Sequence, residues 1–207
     1  FGANYANNSL SRVMNSSLGV TNTLFNRLRR NAQFRAAFIN AMADLMNTSF
    51  KPDYVYSKID AYNARLQSSR PEHNNRWRTS LSTGGEMKLF ASQRPSYMSN
   101  FLISGFGLSG TCTLTVSRNA DWGHVRVNSI VIDSETPGLN APSAPYPWTG
   151  QYYRNVPVTV QALPRQGYRF SHWVGAPAGA NPFSETLTLP MTSSLSITAV
   201  FESAALM

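Results

Sequence analysis

The apolar residues of this chain change their spacing near residue 106, and that change sets the fold class. Before it they recur three and four residues apart: Phe34, Ala37, Phe38, Ala41, Met42, Leu45 and Met46 make one such stripe, and Tyr54, Val55, Ile59, Tyr62 and Leu66 another. That period belongs to helices. After it the apolar residues alternate with polar ones in TCTLTV, HVRVNSIVI, VPVTVQAL, TLTLP and LSITAVF, rich in β-branched residues and separated by Gly- and Pro-bearing turns. That period belongs to strands. The expected class is therefore α+β with segregated parts: helices over 1–106 and an all-β module of about five to seven strands over 107–207, divided at GFGLSG.

Local signals place the helices. Asn31 is the expected N-cap of a helix over 32–47, and Thr21 or Thr23 that of the helix before it. Pro52 suits the first turn of a helix that ends at Arg70-Pro71. PEHNNRW reads as a turn and STGG as a break. EMKLFASQ then reads as one helix and Pro95 as the start of another, with Tyr97, Met98, Phe101 and Leu102 inward.

Charge divides the chain at the same place. Residues 1–106 carry 13 Lys and Arg against 5 Asp and Glu, whereas residues 107–207 carry 5 of each. A basic surplus points to phosphate, nucleic acid or an acidic surface, or to acidic partners carried elsewhere in the same protein. Arg27, Arg29, Arg30 and Arg35 are the densest cluster. Nucleic acid is disfavoured, because the aromatics of this half sit on the stripe that packs instead of interleaving with the cations.

Several chemistries are excluded or lack a motif. There is no apolar run of about 18 residues, so no membrane-spanning helix is expected. One cysteine, Cys112, excludes an internal disulfide and a cysteine-rich zinc site, and it reads as buried filler. His73, His124 and His172 form no pair with metal-ligand spacing. The glycines of GFGLSG follow a helix and lack a Lys-Ser/Thr end, so they read as a hinge and not as a phosphate loop. No catalytic, metal or cofactor residue is assigned. The candidate ligand-binding residues are Trp148, Tyr152 and Tyr153 in APYPWTGQYY, whose flat rings could stack on a sugar or a protein partner. The other reading of Trp148 is a plug at the end of the β module. The opening FGANYANNSL has neither a basic start nor an apolar stretch, and it reads as a fragment or processed product.

Two families are resembled. The run VPVTVQALPRQGYRFSHWVG with SETLTLPMTSSLSITAVF resembles the divergent internalin-B-type B-repeat, over roughly residues 110–202. There Gly167 turns a hairpin, and Tyr168, Phe170, Trp173 and Phe201 fill a small core. The first half resembles the C-terminal end of the CotH kinase family. Leu24, Phe25, Asn31, Phe34, Arg35, Phe38, Phe50, Pro52, Val55, Ile59, Asp60, Arg76, Trp77, Phe90 and Arg94 occupy the family's places, but STGG stands where a tryptophan is usual. This resemblance implies a helical bundle at the end of an atypical kinase C-lobe. It also implies a bacterial secreted or cell-surface parent that transfers phosphate from ATP. Mg or Mn would be held by carboxylates just upstream of Phe1-Gly2, so ATP and metal belong to the full domain and not to these residues. The implied partners are that upstream lobe and, for the β half, a surface glycan or protein. The alternative to kinase parentage is a non-catalytic structural or adhesive surface module.

Overall fold

The computed structural model describes residues 4–15 and 19–204. Among these residues six α-helices come first: α1 (Ser9–Met14), α2 (Val20–Leu28), α3 (Ala32–Asn47), α4 (Pro52–Leu66), α5 (Arg70–Trp77) and α6 (Gly85–Phe106), with a 3-10 turn (Gln67–Ser69) between α4 and α5. Eight strands follow: β1 (Thr111–Arg118), β2 (Gly123–Val127), β3 (Ile130–Ile132), β4 (Trp148–Tyr153), β5 (Val158–Pro164), β6 (Tyr168–Val174), β7 (Thr186–Leu189) and β8 (Leu195–Ser203). The α+β division and the order of its parts are as the periodicity requires.

Helix boundaries follow capping chemistry. Asn31 Oδ1 accepts from the Phe34 N–H at 3.0 Å and starts α3. Pro52 opens α4, where its missing N–H leaves nothing unpaired. Gly19 precedes α2, which begins ahead of Thr23; the Thr23 hydroxyl instead donates back to the Gly19 carbonyl, and the Thr21 side chain lies outside the described residues. PEHNNRW is helical as α5, with Pro71 in its first turn. Pro95 does not start a helix but lies inside α6, a single helix of 22 residues. GFGLSG holds the end of α6 and a capped turn: Gly107 takes left-handed φ and its N–H donates to the Ile103 carbonyl.

The strands form two four-stranded sheets, in the orders β4-β1-β8-β6 and β3-β2-β5-β7. All pairings are antiparallel except β1 with β8. HVRVNSIVI is a hairpin and not one strand, because Asn128 adopts left-handed φ between β2 and β3. The inner faces meet in one core: Leu114, Val116, Ile197 and Phe201 from the first sheet, and Val125, Val160, Leu187 and Leu189 from the second. Trp173 is buried in it, its Nε1–H donating to the Ser184 carbonyl at 2.9 Å, and Phe170 packs on both Trp173 and Phe201. Cys112 is buried, and burial pushes its thiol pKa up, as fits a packing residue.

The core does not stop at the β module. Leu10, Ile39, Ala43, Leu102 and Phe106 from the helices belong to the same cluster as Cys112, Tyr152, Tyr153 and Val156. α3 lies against β4, so the two halves are packed together and not merely strung on a hinge.

Candidate functional site

The three aromatic candidates all lie at that junction. Trp148 is 3 %, Tyr152 0 % and Tyr153 1 % exposed. APYPWTGQYY is not an aromatic loop: its second half is β4, an edge strand covered by α3. The expected ligand face is corrected accordingly, because a ring with no solvent-exposed face cannot stack on a sugar. Trp148 packs against Gly150, where a Cβ would run into its ring. The Tyr153 hydroxyl pairs with the Ser99 hydroxyl of α6 at 3.2 Å.

Tyr152 leads to a polar node that the helical stripe did not foretell. Its hydroxyl donates to Asp44 Oδ1 at 2.9 Å. The same carboxylate accepts from Asn128 Nδ2 at 3.2 Å, from the Ser129 backbone N–H at 3.0 Å, and from the Ser129 hydroxyl. Asp44 is buried without a cation, and these four donors satisfy it. One turn on, Asn47 Nδ2 donates to the Gln151 carbonyl at 2.9 Å while Asn47 Oδ1 accepts the Gln151 N–H at 2.8 Å. Asn47 thus satisfies the open edge of β4 as a neighbouring strand would. One turn before, Asn40 Nδ2 donates to the Pro157 carbonyl at 2.7 Å.

The buried face of α3 is therefore Ile39, Asn40, Ala43, Asp44 and Asn47, whereas Ala37, Ala41 and Leu45 of the expected stripe are exposed. The signal was present: Asn40, Asp44 and Asn47 stand at i, i+4 and i+7, which puts three polar residues on one face. Burial raises the pKa of Tyr152 well above its ordinary value, and the neighbouring Asp44 charge adds to the shift. Burial raises that of Tyr153 as well.

A cavity of about 260 Å³ opens beside the node, lined by Asp44, Thr48, Ser129 and Thr136 among others. Its carboxylate is already saturated with donors, so it offers no free acceptor to a cation. Among the described residues no three His, Cys, Asp or Glu side chains are grouped to hold a metal. Phe1-Gly2, the expected landmark of an upstream metal motif, lies outside the described residues.

The helical half is open on another side. α4 has no buried residue, and Tyr62 and Leu66 of its expected core face are 63 % and 45 % exposed. Trp77, Met87 and Leu89 are exposed as well. Ile59 and Asn63 do pack, against Gly84 and the Thr83 carbonyl. Of the arginine cluster, Arg35 is spent on the Phe106 carbonyl and Arg29 on Asn26, while Arg27 and Arg30 are exposed.

This is a helical segment that packs a β module on α3 and leaves large apolar side chains of α4, α5 and α6 exposed. Comparison with known families finds a likeness for both parts. A family model described as CotH kinase protein matches residues 10–99, and one described as divergent InlB B-repeat domain matches residues 145–205. The chain is thus similar to the CotH kinase family over residues 10–99 and, after it, to the divergent InlB B-repeat domain over residues 145–205. The B-repeat match spans β4–β8; β1, β2 and β3, from before it, complete the two sheets. No curated protein and no solved structure gave a match.

Proposed function

We propose that this chain is the non-catalytic C-terminal part of a CotH-like secreted or cell-surface bacterial protein. Its helical half supports an atypical protein kinase domain whose ATP- and Mg- or Mn-binding lobe is supplied by polypeptide upstream. Its β half is a rigidly attached surface module. The observation that carries this reading is the exposure of large apolar side chains on α4, α5 and the start of α6: Tyr62, Leu66, Trp77, Met87 and Leu89 stand in solvent. Exposed large apolar side chains in such number mark a surface that another body covers.

The test compares this chain with a longer product of the same gene that includes the preceding coding sequence. Amide exchange in α4, α5 and the start of α6 should slow in the longer product, and a thermal shift with ATP and Mn should appear only there. A shift with ATP and Mn in this chain alone, or unchanged exchange in the longer one, refutes the reading.

A second reading, a glycan- or protein-binding surface module, draws support from Trp122. It is the tryptophan of the β half left at the surface, 36 % exposed and stacked on Tyr168 at 5.1 Å and 12°. A glycan array read with Trp122→Ala alongside the native chain tests it; equal binding by both removes its support.

A further inference from the structure

We infer that the outer face of α4 docks an acidic amphipathic polypeptide segment. The inference rests on the reading that this side of the helices is covered, and adds the chemistry of what covers it. Lys58, Tyr62, Arg65 and Leu66 stand at i, i+4, i+7 and i+8, so they share one face of α4, and all four are exposed. The acids of α4 are placed elsewhere. Asp60 points at α6, where it pairs with Lys88 at 2.6 Å, and Asp53 lies on the same side of the helix, seven residues earlier.

Among the described residues no acid lies within ion-pair distance of Lys58 or Arg65. A solvated helix face that needed only solubility would interleave both signs and leave out Tyr62 and Leu66. A nucleic acid would satisfy the cations, but Leu66 would find no partner on it. A segment with Asp or Glu flanking an apolar helical stripe satisfies both, with charge setting orientation and apolar contact supplying burial.

The probes are two synthetic peptides with the same leucine stripe at helical spacing, one carrying glutamate and the other glutamine at the remaining positions. Each is titrated into this chain and followed by anisotropy and by backbone NMR shifts. The glutamate peptide should bind about tenfold tighter than the glutamine peptide at low salt, the effect of a few exposed charge contacts. Its shifts should fall on α4. K58E with R65E should abolish the preference, and Lys58→Arg with Arg65→Lys should keep it. Equal binding of the two peptides, binding of neither, or a preference lost only with Arg27→Glu and Arg30→Glu on α2 overturns the inference. The underlying reading fails separately. If the longer gene product protects α4 equally with and without K58E and R65E, the face is covered but not by an acidic segment. If the glutamate peptide binds as described and the longer product gives no protection, the acidic partner stands and the upstream lobe does not.

Discussion

Replacing Asp44 by alanine should uncouple the halves of the molecule at a stated cost. The carboxylate is 3 % exposed and accepts four hydrogen bonds, from Tyr152, Asn128 and twice from Ser129. Truncation leaves the Tyr152 hydroxyl and the Ser129 N–H without their acceptor, at roughly 1–3 kcal/mol for each buried donor. Water entering from the adjacent cavity recovers part of that, so the net loss should be about 3–5 kcal/mol, a large share of the stability of a small protein. Asp44→Asn keeps the shape and one acceptor but turns an NH₂ towards donors, and should cost about 2 kcal/mol. The assay is urea unfolding followed both by helical circular dichroism and by tryptophan fluorescence. The two signals should coincide in the native chain, because α3 and β4 share one core. Tyr152→Phe should cost about 1 kcal/mol in the native chain and close to nothing once Asp44 is alanine, since its partner is then absent. A loss under about 1 kcal/mol for Asp44→Ala would show that the node is solvated in solution and refute the argument. Separate transitions in the native chain, or an equal cost of Tyr152→Phe in both backgrounds, would refute it as well.

Three further outcomes follow from packing and titration. Trp148→Ala should lower stability by about 3–5 kcal/mol, read as a fall in melting temperature, because a buried indole is exchanged for a cavity; a near-neutral effect would return Trp148 to the surface. Gly123→Ala should cost about 2–4 kcal/mol in urea unfolding, since its Cβ would meet the Phe201 ring and stand 2.8 Å from the Leu163 carbonyl. Burial pushes the pKa of Tyr146 up to about 12. An unfolded tyrosine ionises near 10, so stability should be flat below about pH 10 and fall by about 2–3 kcal/mol towards pH 12, where only the unfolded chain has released the proton. Buried Tyr152 and Tyr153 act in the same direction. Urea midpoints at stepped pH measure this fall, and Tyr146→Phe should make it shallower.

Much of the architecture is legible along the chain because it depends on neighbours a few residues apart. Period, caps and turns are local: Asn31 caps α3, Pro52 opens α4, Gly167 takes the left-handed φ that its hairpin needs, and the switch from helix to strand falls at Gly107–Gly110. The ordered motifs of both halves are local too, so the CotH segment and the B-repeat could be recognised before any packing was known. What spacing could not show is which face meets what. The stripe on α3 turned out to lie beside the buried face, because β4 takes up Asn40, Asp44 and Asn47, and a buried polar face is invisible to a rule that counts apolar residues. The aromatics of APYPWTGQYY look like a binding loop until α3, distant in sequence, packs on β4. Tyr62 and Leu66 look like core until nothing among the described residues covers them. Burial is a property of the second surface as much as of the first, and only the tertiary structure brings the second surface into place.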